Sequence, residues 1–142
     1  MRKIWSHIVI HHSLTRDGQT VSWQAIRRYH SQTLGWDDIG YHYGIELISR
    51  NYEVLVGRDI NQNGAHAYQQ SMNKKGIGIC FVGNFDEYPV PPQMWERGIK
   101  FIRSLMDVHG VPLTNIIGHR DVAPKSCPGK LFDLKKLVED LR

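Results

Sequence analysis

The apolar positions of the chain form short β-branched runs that alternate with longer stretches of helical period. Five runs predict strands, because each is continuously apolar or alternates in polarity between turn-forming residues. Arg50 and Asn51 separate two of these runs, and Asn tolerates positive φ, which favours a short hairpin there. The predicted strands cover residues 4–10, 41–49, 52–56, 77–83 and 115–117.

Three other segments place apolar residues at the spacing of one helical face. The first begins with Ser22 as a possible N-cap and ends at Gly35, the second runs from Pro91–Pro92 to about Val108, and the third follows Asp133. The residues expected to be buried are Trp23, Ile26, Tyr29, His30, Thr33 and Leu34 in the first, Met94, Trp95, Ile99, Ile102, Leu105 and Met106 in the second, and Leu134, Leu137, Val138 and Leu141 in the third.

The order of these elements predicts the fold class. Strand, helix, three strands, helix, strand and helix indicate an α/β protein with a central mixed β-sheet flanked by about three helices. A chain of 142 residues fits one domain with its own core, so we expect a single domain over residues 1–142. Residues 16–18 predict a turn, and residues 61–70 predict a polar loop that carries His66.

Charge and composition restrict the possible partners. The formal charge of +4 favours polyanions, but the basic residues are scattered, which argues against dedicated nucleic-acid binding. No apolar run approaches the roughly 18 residues of a membrane span, and the N-terminal region does not resemble a signal peptide. We therefore expect a protein made in the cytoplasm, acting as a monomer, whose Cys80 and Cys127 are free or metal-bound.

The segment from Gly118 to Gly129 carries the candidate chemistry. It holds His119, Lys125 and Cys127, and its prolines prevent it from forming a helix. A loop that turns back on itself can direct an imidazole and a thiol to one point. Two such groups make an incomplete zinc site, because a catalytic zinc takes three protein ligands and keeps one position for water.

His11 is the best candidate for a third ligand. It ends an apolar strand, as His119 follows one, so both can lie at the same edge of a sheet, whereas His12 must face the other side. One thiolate and two neutral imidazoles would leave Zn²⁺ with a net positive charge, able to lower the pKa of bound water to roughly 7. Spacing alone leaves open whether His11 is a ligand or a hydrogen-bonded loop residue.

Several motifs together resemble a known family. They are Val9–Ser13, Gly40–Tyr43, Gly64–Ala67, Ile77–Ile79 with Phe81–Gly83, and Gly118–Asp121 with Cys127–Gly129. In this order and spacing, which spans nearly the whole chain, they resemble the zinc-dependent N-acetylmuramoyl-L-alanine amidases of the amidase-2 type. That family includes the amidase-type phage lysozymes and the animal peptidoglycan recognition proteins, and residues 122–125 are most similar to the phage branch.

The resemblance implies roles for particular residues. His11, His119 and Cys127 would bind one zinc ion, and Tyr41 and Lys125 would flank the metal as catalytic groups. His66 would lie in the substrate groove, although the role of an ordinary loop histidine fits it equally well. Recognition proteins that have lost catalysis typically have serine at the position of Cys127, so this residue favours an enzyme.

The function implied is hydrolysis of the amide bond between N-acetylmuramic acid and L-alanine in peptidoglycan. The expected role is that of a phage or prophage endolysin, which acts on the cell wall after release from the cytoplasm. Two alternatives stay open: a cytoplasmic amidase that recycles soluble muropeptides, and a non-catalytic protein that binds peptidoglycan or regulates another process.

Overall fold

A five-stranded mixed sheet forms the centre of the molecule. The computed structural model describes residues 2–15 and 22–142. The strands are β1 (His7–His12), β2 (Tyr43–Ile48), β3 (Asn51–Val56), β4 (Gly76–Phe81) and β5 (Ile116–Gly118). Their order is β3-β2-β4-β1-β5, with β2 and β3 antiparallel and the other neighbours parallel. The predicted mixed sheet is confirmed.

Helices cover both faces of this sheet. They are α1 (Ser22–Arg28), α2 (Met72–Lys75), α3 (Pro92–His109) and α4 (Leu134–Leu141), and a π-helical turn (Tyr29–Thr33) extends α1. The sequence predicted three of them, and the single turn of α2 was not foreseen. Asp133 caps α4 by accepting from the Lys136 N–H at 2.9 Å, and Gly110 ends α3 with a φ of 68°.

Side chains along β1 and β4 alternate between the two faces of the sheet, so the large core and His11 lie on opposite faces. Ile8 and Ile10 of β1 pack with Ile77 and Ile79 of β4 in the large core beneath α3 and α4. Residues of opposite parity point to the other face, because successive strand side chains alternate. His11 therefore projects away from the large core, on the side where α1 and α2 lie.

Some predicted boundaries and faces are wrong. Residues 4–6 precede β1 rather than belonging to it, and Ile4 is 88% exposed. In the first helical segment Trp23 and Ile26 are buried as expected, but Tyr29 and Leu34 are 53% and 42% exposed. The predicted turn at residues 16–18 and the side chain of Ser22 lie outside the described residues. In the described ranges no helix combines the length and apolar character needed to cross a membrane.

Candidate metal and active site

Three residues distant in sequence meet at one edge of the sheet. β1 and β5 are parallel neighbours, so their C-terminal ends lie together. His11 lies near the end of β1, His119 directly follows β5, and Cys127 comes from the loop beyond. One potential ligand atom from each lies within 4.8 Å of the others. The structure thus brings together the three predicted ligands in a cluster that could bind a metal ion.

The consecutive histidines of β1 take different positions. The His11 Nδ1 lies 3.6 Å from the Cys127 Sγ, inside the cluster. The His12 ring lies on the opposite face, where its Nδ1 accepts from the Phe85 N–H at 3.1 Å. The backbone N–H of His12 nevertheless donates to the Cys127 Sγ at 3.4 Å. Only His11 of the pair can therefore be a side-chain ligand, as the alternation predicted.

Burial sets the protonation of the two imidazoles. It lowers the pKa of His11 well below its usual value, with His66 and His119 adding to the effect. Burial, followed by the Lys125 ammonium, lowers the pKa of His119 to about 4. Both rings are therefore neutral at pH 7, the form that binds metals.

The Cys127 thiol has the opposite tendency. Burial raises its pKa to about 11, while the His12 N–H and the charges of Lys125 and Arg120 act against this rise. A thiol in this setting keeps its proton until a cation displaces it, because metal coordination deprotonates cysteine outright.

Arg120 holds the loop that carries Cys127, and Asp121 binds the backbone just before His119. The Arg120 guanidinium donates to the carbonyl oxygens of Gly129 at 2.6 Å and Phe132 at 2.9 Å. The Asp121 carboxylate accepts from the Gly118 N–H at 2.8 Å. Both residues therefore bind backbone groups, and neither lies in the ligand cluster.

Asp86 is an anchor that the sequence did not predict. Its carboxylate accepts from the Ser126 hydroxyl at 3.0 Å and from the Lys130 N–H at 2.8 Å. The hydrogen bond from Lys130 is the main reason that the pKa of Asp86 is lowered. Asp86 and Arg120 together fix both ends of the segment around Cys127. Nothing in the sequence near Asp86 marks this role, because its partners lie about 40 residues away.

Tyr41 and Lys125 border the ligand cluster. The Tyr41 ring lies 5.1 Å from the His11 ring, and burial followed by the neighbouring Cys80 and Cys127 raises the pKa of its phenol well above 10. Tyr41 is therefore a hydrogen-bond donor at neutral pH. Lys125 is exposed and lines the same cavity as His119.

A cavity of about 430 Å³ opens beside the cluster. Trp36 and Tyr68 lie at its rim, 36% and 78% exposed. The Gln69 Oε1 lies 3.4 Å from the His119 Nε2. His66 also lines the cavity but is only 8% exposed, and burial, followed by His42, lowers its pKa to about 3. The predicted groove residue thus lies in the wall, with both ring nitrogens near protein groups.

Comparison with known proteins identifies the family. The profile described as N-acetylmuramoyl-L-alanine amidase matches residues 1–130, which include all three clustered residues. The chain belongs to the N-acetylmuramoyl-L-alanine amidase family. This confirms the resemblance predicted from its motifs.

Individual relatives align with most of the chain. The endolysin of Enterobacteria phage T3 is 37% identical over 93% of this chain and 84% of its own length. Peptidoglycan-recognition protein SC1a of Drosophila melanogaster is 33% identical over 87% of this chain and 68% of its own. The solved structure of the amidase LysC from Clostridium intestinale superimposes with a TM-score of 0.81 at 31% identity, covering 98% of this chain and 86% of that one. The amidase fold is therefore shared along nearly the whole chain.

Proposed function

We propose that this protein hydrolyses the amide bond between N-acetylmuramic acid and L-alanine in peptidoglycan, with one Zn²⁺ held by His11, His119 and Cys127. The observation that carries the proposal is the convergence of two neutral imidazoles and a thiol within 4.8 Å, bordered by Tyr41 and Lys125. The similarity to the amidase LysC and to the phage endolysins supports it.

The donor set suits zinc. Two nitrogens and one sulfur match the ligands that zinc prefers, and three protein ligands leave a position for water or substrate, as in catalytic rather than structural sites. A zinc ion held by His11, His119 and Cys127 would supply a positive charge that polarises an amide carbonyl and lowers the pKa of water. The N–H of His12, 3.4 Å from the Cys127 Sγ, stabilises the thiolate that such a site requires.

Tyr41 and Lys125 provide the remaining groups for amide hydrolysis. The Tyr41 phenol keeps its proton and hydrogen-bonds with the Cys80 thiol in this structure. We assign to it the hydrogen bond to the oxygen on which negative charge develops, for which its O–H would turn from Cys80 to the substrate. Lys125 presents an ammonium group to the cavity that His119 also lines, and its side chain is exposed to solvent. We assign Lys125 to charge stabilisation and to protonation of the leaving nitrogen.

The cavity beside the cluster suits a glycopeptide. Trp36 and Tyr68 present aromatic surface at its rim, against which the apolar face of a sugar ring can lie. Lys125 and the polar Gln69 line the same cavity near His119. We propose that the glycan lies along the aromatic rim, so that the lactyl amide reaches the ligand cluster.

The phage endolysin relatives favour a lytic role over muropeptide recycling. The chain is 37% and 36% identical to the endolysins of Enterobacteria phage T3 and Escherichia phage T7. We therefore propose that a monomer, with residues 1–142 as one catalytic domain, acts on the cell wall after release from the cytoplasm. A purely peptidoglycan-binding function is disfavoured, because Cys127 supplies the third possible metal ligand beside His11 and His119.

Digestion of purified sacculi tests the proposal. New amino groups of L-alanine should appear without new reducing sugars, and chelation should abolish the reaction until Zn²⁺ is restored. Equal turnover after thorough chelation contradicts the zinc mechanism. New reducing sugars without new amino groups would contradict amide hydrolysis. Cleavage of soluble fragments alone would favour a recycling amidase. Binding to sacculi without cleavage would support the non-catalytic alternative.

A further inference from the structure

The imidazole of His66 connects the ligand cluster to the backbone of β4. Its Nδ1 lies 2.9 Å from the His11 Nε2, and its Nε2 lies 2.8 Å from the carbonyl oxygen of Gly76. The rings of His11 and His66 are nearly perpendicular, at 89°. A continuous series of hydrogen bonds therefore runs from the Gly76 carbonyl through His66 to His11.

The carbonyl at one end fixes the direction of every bond in this series. A carbonyl oxygen only accepts, so the proton of that bond belongs to the His66 Nε2. Burial favours the neutral ring of His66, in which Nδ1 carries a lone pair and accepts. His11 must then donate from its Nε2, which leaves its Nδ1 free of a proton. That nitrogen is the one that lies 3.6 Å from the Cys127 Sγ.

The His66 ring has little freedom to leave this position. A Cβ added at Gly64 would lie 2.3 Å from its Cδ2, and a Cβ added at Gly78 would lie 2.6 Å from the same atom. Both glycines thus leave the space that the ring fills. Its backbone is fixed as well, because the Asn73 side-chain oxygen accepts from the N–H groups of His66 at 2.6 Å and Ala67 at 2.7 Å.

We propose that His66 is a positioning residue, which holds the His11 ring in the orientation and tautomer that present Nδ1 to the metal. The inference rests on the proposed zinc site and deepens it. It replaces the expectation that His66 contacts substrate, since neither ring nitrogen is free to do so. Outer partners of metal-binding histidines commonly change metal affinity about 10- to 100-fold when removed.

NMR of the zinc-free protein can measure which ring donates in the hydrogen bond between the His11 Nε2 and the His66 Nδ1. A through-bond nitrogen–nitrogen coupling experiment on ¹⁵N-labelled protein should place the shared proton on the His11 Nε2 and correlate it with the His66 Nδ1. A proton bound to the His66 Nδ1 instead would overturn the proposal, because the His11 Nδ1 would then carry its own proton. This measurement needs neither a variant nor turnover.

Two substitutions of His66 separate its two hydrogen bonds. The side-chain oxygen of Asn occupies nearly the place of the imidazole Nδ1, so His66→Asn keeps an acceptor for His11. The amide of Gln reaches the place of Nε2, so His66→Gln keeps the donor to Gly76 and loses that acceptor. Chelator competition should show Zn²⁺ affinity about 10- to 100-fold weaker in His66→Gln and clearly less affected in His66→Asn.

His42→Asn is the matched control. His42 is a buried histidine whose ring centroid lies 5.8 Å from that of His66, but its hydrogen bonds go to Gln62 and Gly78 instead of to a candidate ligand. The His42→Asn variant should have lower thermal stability and nearly unchanged Zn²⁺ affinity. Equal weakening in all three variants, or in none, overturns the positioning role. If wild-type protein still cleaves sacculi in that case, the proposed amidase function stands without it.

Discussion

His11 and Cys80 are register partners on β1 and β4, so their side chains project from the same face of the sheet. The interior thus holds a second thiol close to the candidate ligands. Cys80 is fully buried, it hydrogen-bonds with Tyr41, and burial raises its pKa well above 9. Within the described residues, the thiol that clusters with both His11 and His119 is that of Cys127.

The two cysteines should therefore respond differently to substitution. Cys127→Ser should lose zinc and lower amide hydrolysis at least about 100-fold, because it removes one of three ligands, while binding to sacculi persists. Cys80→Ala should keep about one zinc ion per chain and lose about 1 kcal/mol of stability. Zinc analysis and urea unfolding check both. Wild-type turnover by Cys127→Ser would show that the thiol is not a ligand.

Tyr41→Phe tests the phenol alone. The ring would still pack beside Trp23, at 6.4 Å between centroids, so the fold should persist. Loss of one hydrogen-bond donor to a developing oxyanion typically costs about 100-fold in kcat or more. We expect a decrease of that size with unchanged zinc content. An unchanged kcat on sacculi would restrict Tyr41 to a packing role.

Lys125→Ala should also lower kcat by about 100-fold without loss of zinc, because it removes a fixed positive charge from the cavity. Lys125→Arg keeps the charge and should recover part of the rate. Lys130→Ala is the control, since this exposed lysine lies in the same loop and its backbone N–H, not its side chain, bonds to Asp86. If zinc content falls in parallel with rate, Lys125 supports the loop instead of the reaction.

Arg120→Lys tests the anchor of the Cys127 loop. A planar guanidinium reaches the carbonyls of Gly129 and Phe132 together, whereas a lysine ammonium cannot reproduce that fork. We expect unfolding free energy to fall by about 1–3 kcal/mol and Zn²⁺ affinity to weaken. Arg97→Lys, at a half-exposed ion pair with Glu53, should change neither. Unaltered zinc affinity in Arg120→Lys would show that the Arg120 hydrogen bonds do not support zinc binding.

His42 should make the fold sensitive to acid. Burial lowers its pKa from 6.5 to about 4 in the folded protein. Its Nε2 donates to the Gln62 carbonyl at 2.8 Å and its Nδ1 accepts from the Gly78 N–H at 3.0 Å, so a second ring proton would oppose the Gly78 donor. Between pH 6.5 and pH 4 the unfolded chain binds this proton more readily. Stability is therefore lost as pH falls through that window, by roughly 3 kcal/mol in total.

Urea unfolding of zinc-free protein at several pH values measures this contribution. His42→Asn should be less stable at pH 7 but should lose less stability between pH 6.5 and pH 4 than the wild type does. The difference in slope corresponds to about one proton. Equal slopes for the two proteins would mean that His42 does not take part in the acid response.

The sequence could predict the sheet from local rules, and it could predict the full ligand cluster through the family that its motifs resemble. Apolar runs indicated the strands, and alternation separated His11 from His12. His11 ends one apolar strand and His119 follows another, which is why both were expected at one edge of the sheet. These rules require no knowledge of tertiary contacts.

The first helical segment shows where those rules fail. A period of 3.6 residues cannot anticipate the π-helical turn at Tyr29–Thr33, in which the Leu34 N–H donates to the Tyr29 carbonyl. The wider turn lets the His30 ring contact Trp36, with 4.6 Å between centroids, and accept from the Gly40 N–H at 2.9 Å. Tertiary contacts at the cavity rim thus outweigh the helical pattern. As a result, Tyr29 is exposed instead of buried.

The clustered residues are far apart along the chain, and this determines when during synthesis the protein can bind a metal ion. His11 belongs to the first strand, but Cys127 follows the last strand by several residues. A growing polypeptide can complete the cluster only after Cys127 has left the ribosome. Partial translation products would lack a hydrolytic centre, and zinc uptake would report the end of folding rather than its early steps.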